Sequence, residues 1–339
     1  MKNKRKDIPY LGVNSTKIKR FDIKNINKES LNVFLYQISE RYKIHLKKDV
    51  MRLDPPFTND KILKQYRFTN VRREQDKESK WLISNVCSNN ELSYSDKLLN
   101  CILFRLYNKH ETAELIKMPI KFSKFNPEKY NKYFIKAKEE DPKRIFFTSV
   151  FFTSAIKKHM QIYLPDNITE NKNEMGILYF IEYLIKTNFT DYIEYCNSAE
   201  EVITKLRKYK GIGKFFAYQI FVDFTYILEF PFSENEYVQA GPGAQLGLNY
   251  LFNSFDDLTH EELIFWLRDN WDDLNKYNKS NGYSAEAAPE KLFKDLPVYD
   301  RKMNVMSIQN CLCEFSKYYK AVHKIGRPRQ KYIYRKESE

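Results

Sequence analysis

Leu206-Arg-Lys-Tyr-Lys-Gly211-Ile212-Gly213-Lys214-Phe215-Phe216-Ala217 is the stretch from which the fold can be read. The apolar spacing of Val202 to Leu206 ends one helix, and that of Phe215 to Leu228 begins another. Between them, two glycines flank an isoleucine. Glycine permits a tight turn, and the first amide N–H groups of the second helix have no partner within that helix. Such a helix start can meet a phosphate oxygen, with Lys210 and Lys214 adding charge beside it. The alternative is an ordinary turn between helices. A nucleotide P-loop is excluded, because its long glycine spacing and Gly-Lys-Ser/Thr ending are missing.

Helical periodicity continues on either side. Leu31, Phe34, Leu35, Ile38 and Tyr42 follow it after Ser30, which we read as the cap. Val86 and the set Leu98, Leu99, Ile102, Leu103 and Leu106 predict two further helices around a polar turn at Ser88–Ser93. Met175–Ile185 and Ile308–Tyr319 read the same way, and Arg144–Phe152, although strand-like in content, is read as a buried helix. Proline-containing loops fall between these segments, and no internal repeat is present. The expected architecture is all-α and two-lobed, around a helix-hairpin-helix at about 200–228.

The 339 residues include only 9 glycines and carry a formal charge of +13. Residues 1–50 hold +8 and the segment 317–336 another +8, leaving 51–316 close to neutral. We therefore divide the chain into a basic arm at 1–28, a helical domain at 29–316 and a basic tail at 317–339. Ends of this kind suit a polyanion, since neutralising phosphates releases counterions. In the tail, Arg327, Arg329 and Lys331 alternate with Tyr332 and Tyr334, a mix able to hold phosphates and stack on bases. A solvated charged end is the plainer reading of the arm.

No apolar run reaches membrane-spanning length, and Met1-Lys-Asn-Lys-Arg-Lys lacks the apolar stretch of a secretory signal. Five cysteines (Cys87, Cys101, Cys196, Cys311, Cys313) lack zinc or iron–sulfur spacing, and Cys311 and Cys313 are read as small buried hydrophobes. The expectation is a soluble protein with reduced thiols and no membrane partner, in the cytoplasm of a bacterial or phage-infected cell, or in the nucleus if eukaryotic. The five histidines are read as having no i, i+4 partner ligand, so no protein-bound metal or cofactor is expected.

The hairpin resembles that of the DNA glycosylase superfamily, two-lobed helical proteins that grip DNA with it and draw a base into a cleft. The chain departs from that family's catalytic pattern. Phe215 stands where bifunctional members carry a lysine, and the loop Pro231-Phe-Ser-Glu234-Asn-Glu236-Tyr-Val-Gln-Ala-Gly241-Pro-Gly243-Ala244 has glutamates where members carry an aspartate. Plain N-glycosidic cleavage is therefore the weaker alternative.

Three further stretches narrow the resemblance: Pro55 to Asp76 with Lys80 and Trp81, Gly241–Ala244 followed by Gly247, and Gln309 to Tyr318. Together they resemble the phage thymine-hypermodification branch. That branch comprises the α-glutamyl/putrescinyl thymine pyrophosphorylases, viewed as amino acid:DNA transferases, and the helical domain attached to 5-hydroxymethyluracil DNA kinases. The resemblance implies a chain that binds DNA and uses an amino acid or polyamine to displace pyrophosphate from the activated 5-hydroxymethyl group of uracil. The other role it allows is a non-catalytic DNA-binding partner of such a kinase.

The chemistry assigns candidates. Charge building on the departing pyrophosphate calls for cations, for which Arg67, Arg73 and Lys80 are available, with magnesium on the pyrophosphate compatible. Arg73 and Lys80 are seven apart, so a continuous helix would put them on one face, with Asp76 between as an amine-orienting acid or a structural ion pair. Deprotonating the amine calls for a base, for which Glu234, Glu236 and Glu314 are candidates. Thr58, Asp60, Asn70, Lys80, Gly241 and Gly243 are assigned to base and substrate binding. Asn70 and Thr69 can meet a base edge or cap a helix. The Gly-Pro-Gly-Ala loop can let a backbone pass close to a base or simply turn into a helix at Gln245. Lys210, Gly211, Gly213, Lys214, Arg327, Arg329 and Lys331 are assigned to DNA.

Overall fold

The computed structural model describes residues 18, 20–148, 154–297, 301–326 and 331–332. Among them the fold is helical without a β-strand; two isolated bridges, Ile26–Phe252 and Tyr66–Lys331, are the extended pairings described. The chain forms two compact units, one of Lys77–Tyr237 and one bringing together Asp7–Asp76 and Val238–Glu339. No helix among the described residues is long and apolar enough to cross a membrane.

The discontinuous unit contains α1 (Lys28–His45), α2 (Lys61–Gln65), and, after the other unit's helices α3–α11, α12 (Pro242–Leu251), α13 (His260–Asp269), α14 (Trp271–Ser280), α15 (Pro289–Leu292) and α16 (Val305–Val322). The apolar stripe of α1 is fully buried. Its cap is Asn27, whose side chain accepts the Ser30 amide at 3.0 Å, rather than Ser30 itself. Phe34 meets Phe315 of α16 edge-on at 5.3 Å and Trp271 of α14 at 6.0 Å. Helix α12 packs closely on α16. A Cβ at Gly243 would stand 2.5 Å from Cys313 Sγ, and one at Gly247 only 2.2 Å from the Leu312 carbonyl oxygen. Gly243 and Gly247 thus form a smooth stripe on α12 that lets α16 lie close. The Gly-Pro-Gly-Ala segment is the first turn of α12, capped by Gly241, and Gly243 there packs against Cys313 of α16.

The other unit runs α3 (Lys77–Leu82), α4 (Tyr94–Tyr107), α5 (His110–Leu115), α6 (Glu128–Glu140), α7 (Ser154–Met160), α8 (Lys172–Lys186), α9 (Phe189–Glu194), α10 (Ala199–Leu206) and α11 (Lys214–Thr225). Its core holds a bidentate ion pair between α4 and α11, Arg105 Nε and Nη2 each donating to Asp223 at 2.6 Å. Residues 144–148 are not helical: Thr148 N–H bonds the Tyr107 carbonyl at 3.2 Å, and the Phe146 carbonyl accepts from Thr112 Oγ1 at 2.7 Å. These bonds to α4 and α5, with the Phe146 ring edge-on to Phe134 of α6 at 5.1 Å, outweigh the helical reading of 144–152, whose remaining residues lie outside those described.

The basic ends are partly folded in. Ile18, Phe21 and Ile26 are buried, and α16 runs through 317 to Val322 with Tyr318 buried, so the tail leaves the helix later than its charge pattern predicts. Arg327, Arg329 and Tyr334 lie outside the described residues.

Candidate functional site

Arg41 organises the discontinuous unit's polar centre. It is 3% exposed on α1, and Gln37 Oε1 one turn earlier accepts from its Nη1 at 2.9 Å. Its Nη2 donates to the carbonyls of Thr69 at 2.8 Å and Asn70 at 3.0 Å, and Nε to Thr69 again at 3.1 Å. From the other side, Asn310 of α16 donates to the Asn70 carbonyl at 3.0 Å and to Thr69 Oγ1 at 3.1 Å. A segment with no regular structure of its own is thereby fixed through its backbone. Thr69 and Asn70 cap no helix.

Fixing that segment positions Asp76. The Asn70 amide donates to Asp76 Oδ1 at 3.0 Å, while Asn70 Nδ2 bonds the Gln75 carbonyl at 2.9 Å. Burial pushes the Asp76 carboxyl up to about 6; the Asn70 amide, Arg41 and Arg73 oppose the shift, and Glu314 adds to it. Asp76 is extended, with φ −70° and ψ 145°, between a single turn at Arg73–Gln75 and the start of α3. Arg73 and Lys80 therefore do not share a continuous helix; the residue between them leaves helical geometry to bond Asn70. Arg73 is buried and Arg67 exposed.

Glu314, on α16, is 2% exposed. Its Oε1 accepts from Lys317 Nζ at 2.7 Å, and its Oε2 has no hydrogen-bond partner among the described residues. Cys311, a turn away, is the buried small residue expected, its thiol pushed up to about 11 by burial. Cys313 is half-buried against α12.

A cavity of about 300 Å³ opens beside this cluster. Thr58, Thr69, Asn70, Arg41 and Lys64 are its polar lining, and Phe57, Tyr66, Phe68 and Tyr332 contribute rings. Tyr332 reaches it because its amide donates to the Gln65 carbonyl at 2.9 Å, next to the Tyr66–Lys331 bridge. Thr58 is buried and donates to Glu40 at 2.6 Å; its hydroxyl also accepts the Asp60 amide at 3.1 Å. Asp60 itself is structural: Oδ1 caps α2 through the Ile62 and Leu63 amides at 2.8 Å, and Oδ2 accepts from Tyr318 at 2.6 Å.

The discontinuous unit thus collects Thr58, Asp60, Asn70, Arg73, Asp76 and Glu314 from the sequence-predicted set. Lys80 (exposed) and Glu234 belong to the other unit, where Glu234 accepts from Thr225 Oγ1 at 3.4 Å and Glu236 accepts the Ser233 amide at 2.8 Å. No sequence motif singles out Arg41 or Asn310. The only sequence signal for Arg41 is a cation on the otherwise buried stripe of α1.

In the Lys77–Tyr237 unit, Gly211 turns between α10 and α11 at φ +93°, where a Cβ would also stand 2.8 Å from Met160 Cε. Ile212 is buried beneath the turn. Gly213 has ordinary extended backbone and nothing within 4 Å of a Cβ, and α11 starts without a side-chain cap. Lys210 and Lys214 are exposed on either side.

Two acid–histidine contacts bear on the metal expectation. His45 and Asp49 do pair at i, i+4, with Nδ1 and Oδ2 2.7 Å apart. Glu78, His110 and Glu111 bring ligand atoms within 4.8 Å of one another. Glu78 there also accepts the His110 amide at 2.6 Å, at the start of α5, so internal hydrogen bonding accounts for its placement.

Fold and site together define an all-helical protein with a buried acid–arginine cluster beside an aromatic-lined cavity. The family is shown by sequence: residues 28–327 match the family model of the 5-hmdU DNA kinase helical domain, and the chain belongs to that family. It is 24% identical over 305 residues to the 5-hmdU DNA kinase of Bacillus phage SP10, covering 85% of this chain but 44% of that relative. The chain thus spans under half the length of that kinase. No solved structure matches.

Proposed function

We propose that this chain acts on 5-hydroxymethyluracil in DNA, replacing the pyrophosphate of its activated 5-hydroxymethyl group with an amine. The amine nitrogen forms a bond to the exocyclic methylene carbon as the carbon–oxygen bond to pyrophosphate breaks. The proton released by the incoming amine goes to Asp76. One observation carries this reading: Asp76, raised to about 6 by burial, lies one hydrogen bond behind Asn70 in the cavity wall. A carboxylate of that basicity accepts a proton near neutral pH more readily than an ordinary one, and the Asn70 amide holds its Oδ1. Arg67, exposed beside the lining residues, stabilises the departing pyrophosphate. The open helix start at Gly213, with Lys210 and Lys214, holds the DNA backbone. Installation of the phosphates is assigned elsewhere, since no P-loop is present in this sequence.

A second reading, a DNA-binding helical domain serving a 5-hydroxymethyluracil DNA kinase, rests on the family match itself. Nucleoside mass spectrometry separates the two. DNA bearing pyrophosphorylated 5-hydroxymethyluracil is incubated with the protein and a pool of amino acids and polyamines, then digested. The transferase yields a nucleoside with the mass of an amine adduct. An unchanged profile with tight DNA binding selects the kinase-associated domain, and a lost base selects a glycosylase.

A further inference from the structure

The cavity beside Asp76 has a lining that proton transfer does not require. We propose that it receives a single uracil-type base turned out of the DNA helix, with Tyr66, Phe68 and Tyr332 as stacking surfaces and Asn70 at its polar edge. This inference rests on the reading that the chain acts on a base in DNA, and it names the group that is held and the residues that hold it.

Four observations support it. At about 300 Å³ the cavity is at the small end of ligand sites, suited to one flat ring with its sugar and phosphates left outside. Aromatic faces stack on any base, and enzymes that act on a base hold it extruded between such surfaces. The buried cation of the cavity is also not free to take an anion. Two cations line the cavity: Arg41 is buried, with its nitrogens already engaged by Gln37 and by the carbonyls of Thr69 and Asn70, and Lys64 is exposed. Asn70 ties its Nδ2 to Gln75, which leaves Oδ1 as an acceptor for a ring N–H. Uracil and thymine carry that N–H at N3, whereas cytosine carries an acceptor there. The charge suited to phosphates is exposed: Lys64 within the lining, and Arg67 and Lys331 on the segments that wall the cavity. The tail accordingly contributes a wall of the site through Tyr332, and is more than an electrostatic arm.

The test uses the full chain and two duplexes differing at one position. One carries 5-hydroxymethyluracil opposite an abasic gap, so extrusion is easy; the other carries an abasic spacer in place of that nucleotide. Both have a neighbouring 2-aminopurine, whose fluorescence rises when stacking is lost. The native chain is expected to prefer the base-containing duplex and to brighten the 2-aminopurine. Phe68→Ala and Tyr332→Ala should each weaken binding to that duplex about 5- to 150-fold, the range for losing one stacked base, with the spacer duplex unaffected. Ile44→Trp, which fills the cavity from the half-buried face of α1, should remove the preference without deleting a wall and serves if an alanine variant fails to fold. Equal losses on both duplexes, or none on either, would overturn the proposal. Failure of the proposed chemistry looks different. A native chain that makes no amine adduct but loses base preference in Phe68→Ala keeps the base site and retires the transferase. An adduct made equally well by Phe68→Ala and Ile44→Trp retires the base site alone.

Discussion

Replacing Asp76 by asparagine tests the charge that the proposed chemistry depends on. Asn keeps an oxygen to accept the Asn70 amide, so the hydrogen bond of 3.0 Å survives while the titrating proton is lost. In the native chain the carboxyl titrates near 6 when folded, against an ordinary value of 3.8. Below 3.8 it is protonated in both states and costs nothing. Between 3.8 and 6 the unfolded chain has released the proton and the folded one retains it, so native stability falls as pH rises through that window. Above 6 the full cost of the buried charge is present. At about 1.4 kcal/mol per pH unit, the native chain should lose about 2 kcal/mol relative to Asp76→Asn between pH 4.5 and pH 7. Urea unfolding followed by circular dichroism at several pH values measures this difference directly. Parallel stability curves for the two proteins, or a native chain that gains on the variant as pH rises, would refute a buried, raised carboxyl. In the transfer assay, the native rate should rise through about pH 6 as Asp76 becomes free to accept a proton. Asp76→Asn should lose roughly 100- to 10,000-fold in rate with DNA affinity retained.

Two glycine variants should separate packing from DNA contact. Gly247→Ala drives a methyl into the Leu312 carbonyl oxygen, 2.2 Å away, and should cost about 1–3 kcal/mol in thermal or urea unfolding. Gly213→Ala has open space and should leave stability within about 0.5 kcal/mol, while weakening DNA binding in a salt-sensitive way. Arg41→Ala strands the Thr69 and Asn70 carbonyls and removes a cation that holds Asp76 down, so about 1–3 kcal/mol of stability should go and the rate profile should shift to higher pH. Arg67→Ala, at an exposed position, should leave the melting temperature unchanged and DNA affinity within a few-fold while abolishing transfer; equal loss of both would remove its assignment to the leaving group.

Much of the helical layout was legible because its signals are local. The stripe from Leu31 to Tyr42 is buried as its spacing requires, and Gly211 sits in the turn read from Gly-Ile-Gly. Thr58, Asn70, Asp76 and Glu314 are residue types suited to the chemistry, and the discontinuous unit gathers them. The failures share a different cause. Arg73, Asp76 and Lys80 looked like one helical face, but Asp76 abandons helical geometry to bond Asn70. Gly243 reads as a point of approach for a base, and its contact with Cys313, seventy positions on, has no local signal. Arg41 could not be predicted, because its partners Thr69 and Asn70 lie 28 and 29 residues away.

By itself, the sequence determined an all-helical chain with a two-glycine hairpin and positive charge concentrated at its ends. Those properties follow from hydrophobic period, backbone freedom and counting of charge, each a function of residues close together in the chain. The tertiary structure decided which groups face one another. It clamped the segment at 69–70 between α1 and α16, raised the Asp76 carboxyl by burying it, and brought Tyr332 beside residues more than 260 positions earlier to wall a cavity. Burial and proximity belong to the packed chain as a whole, so no local pattern could have shown them.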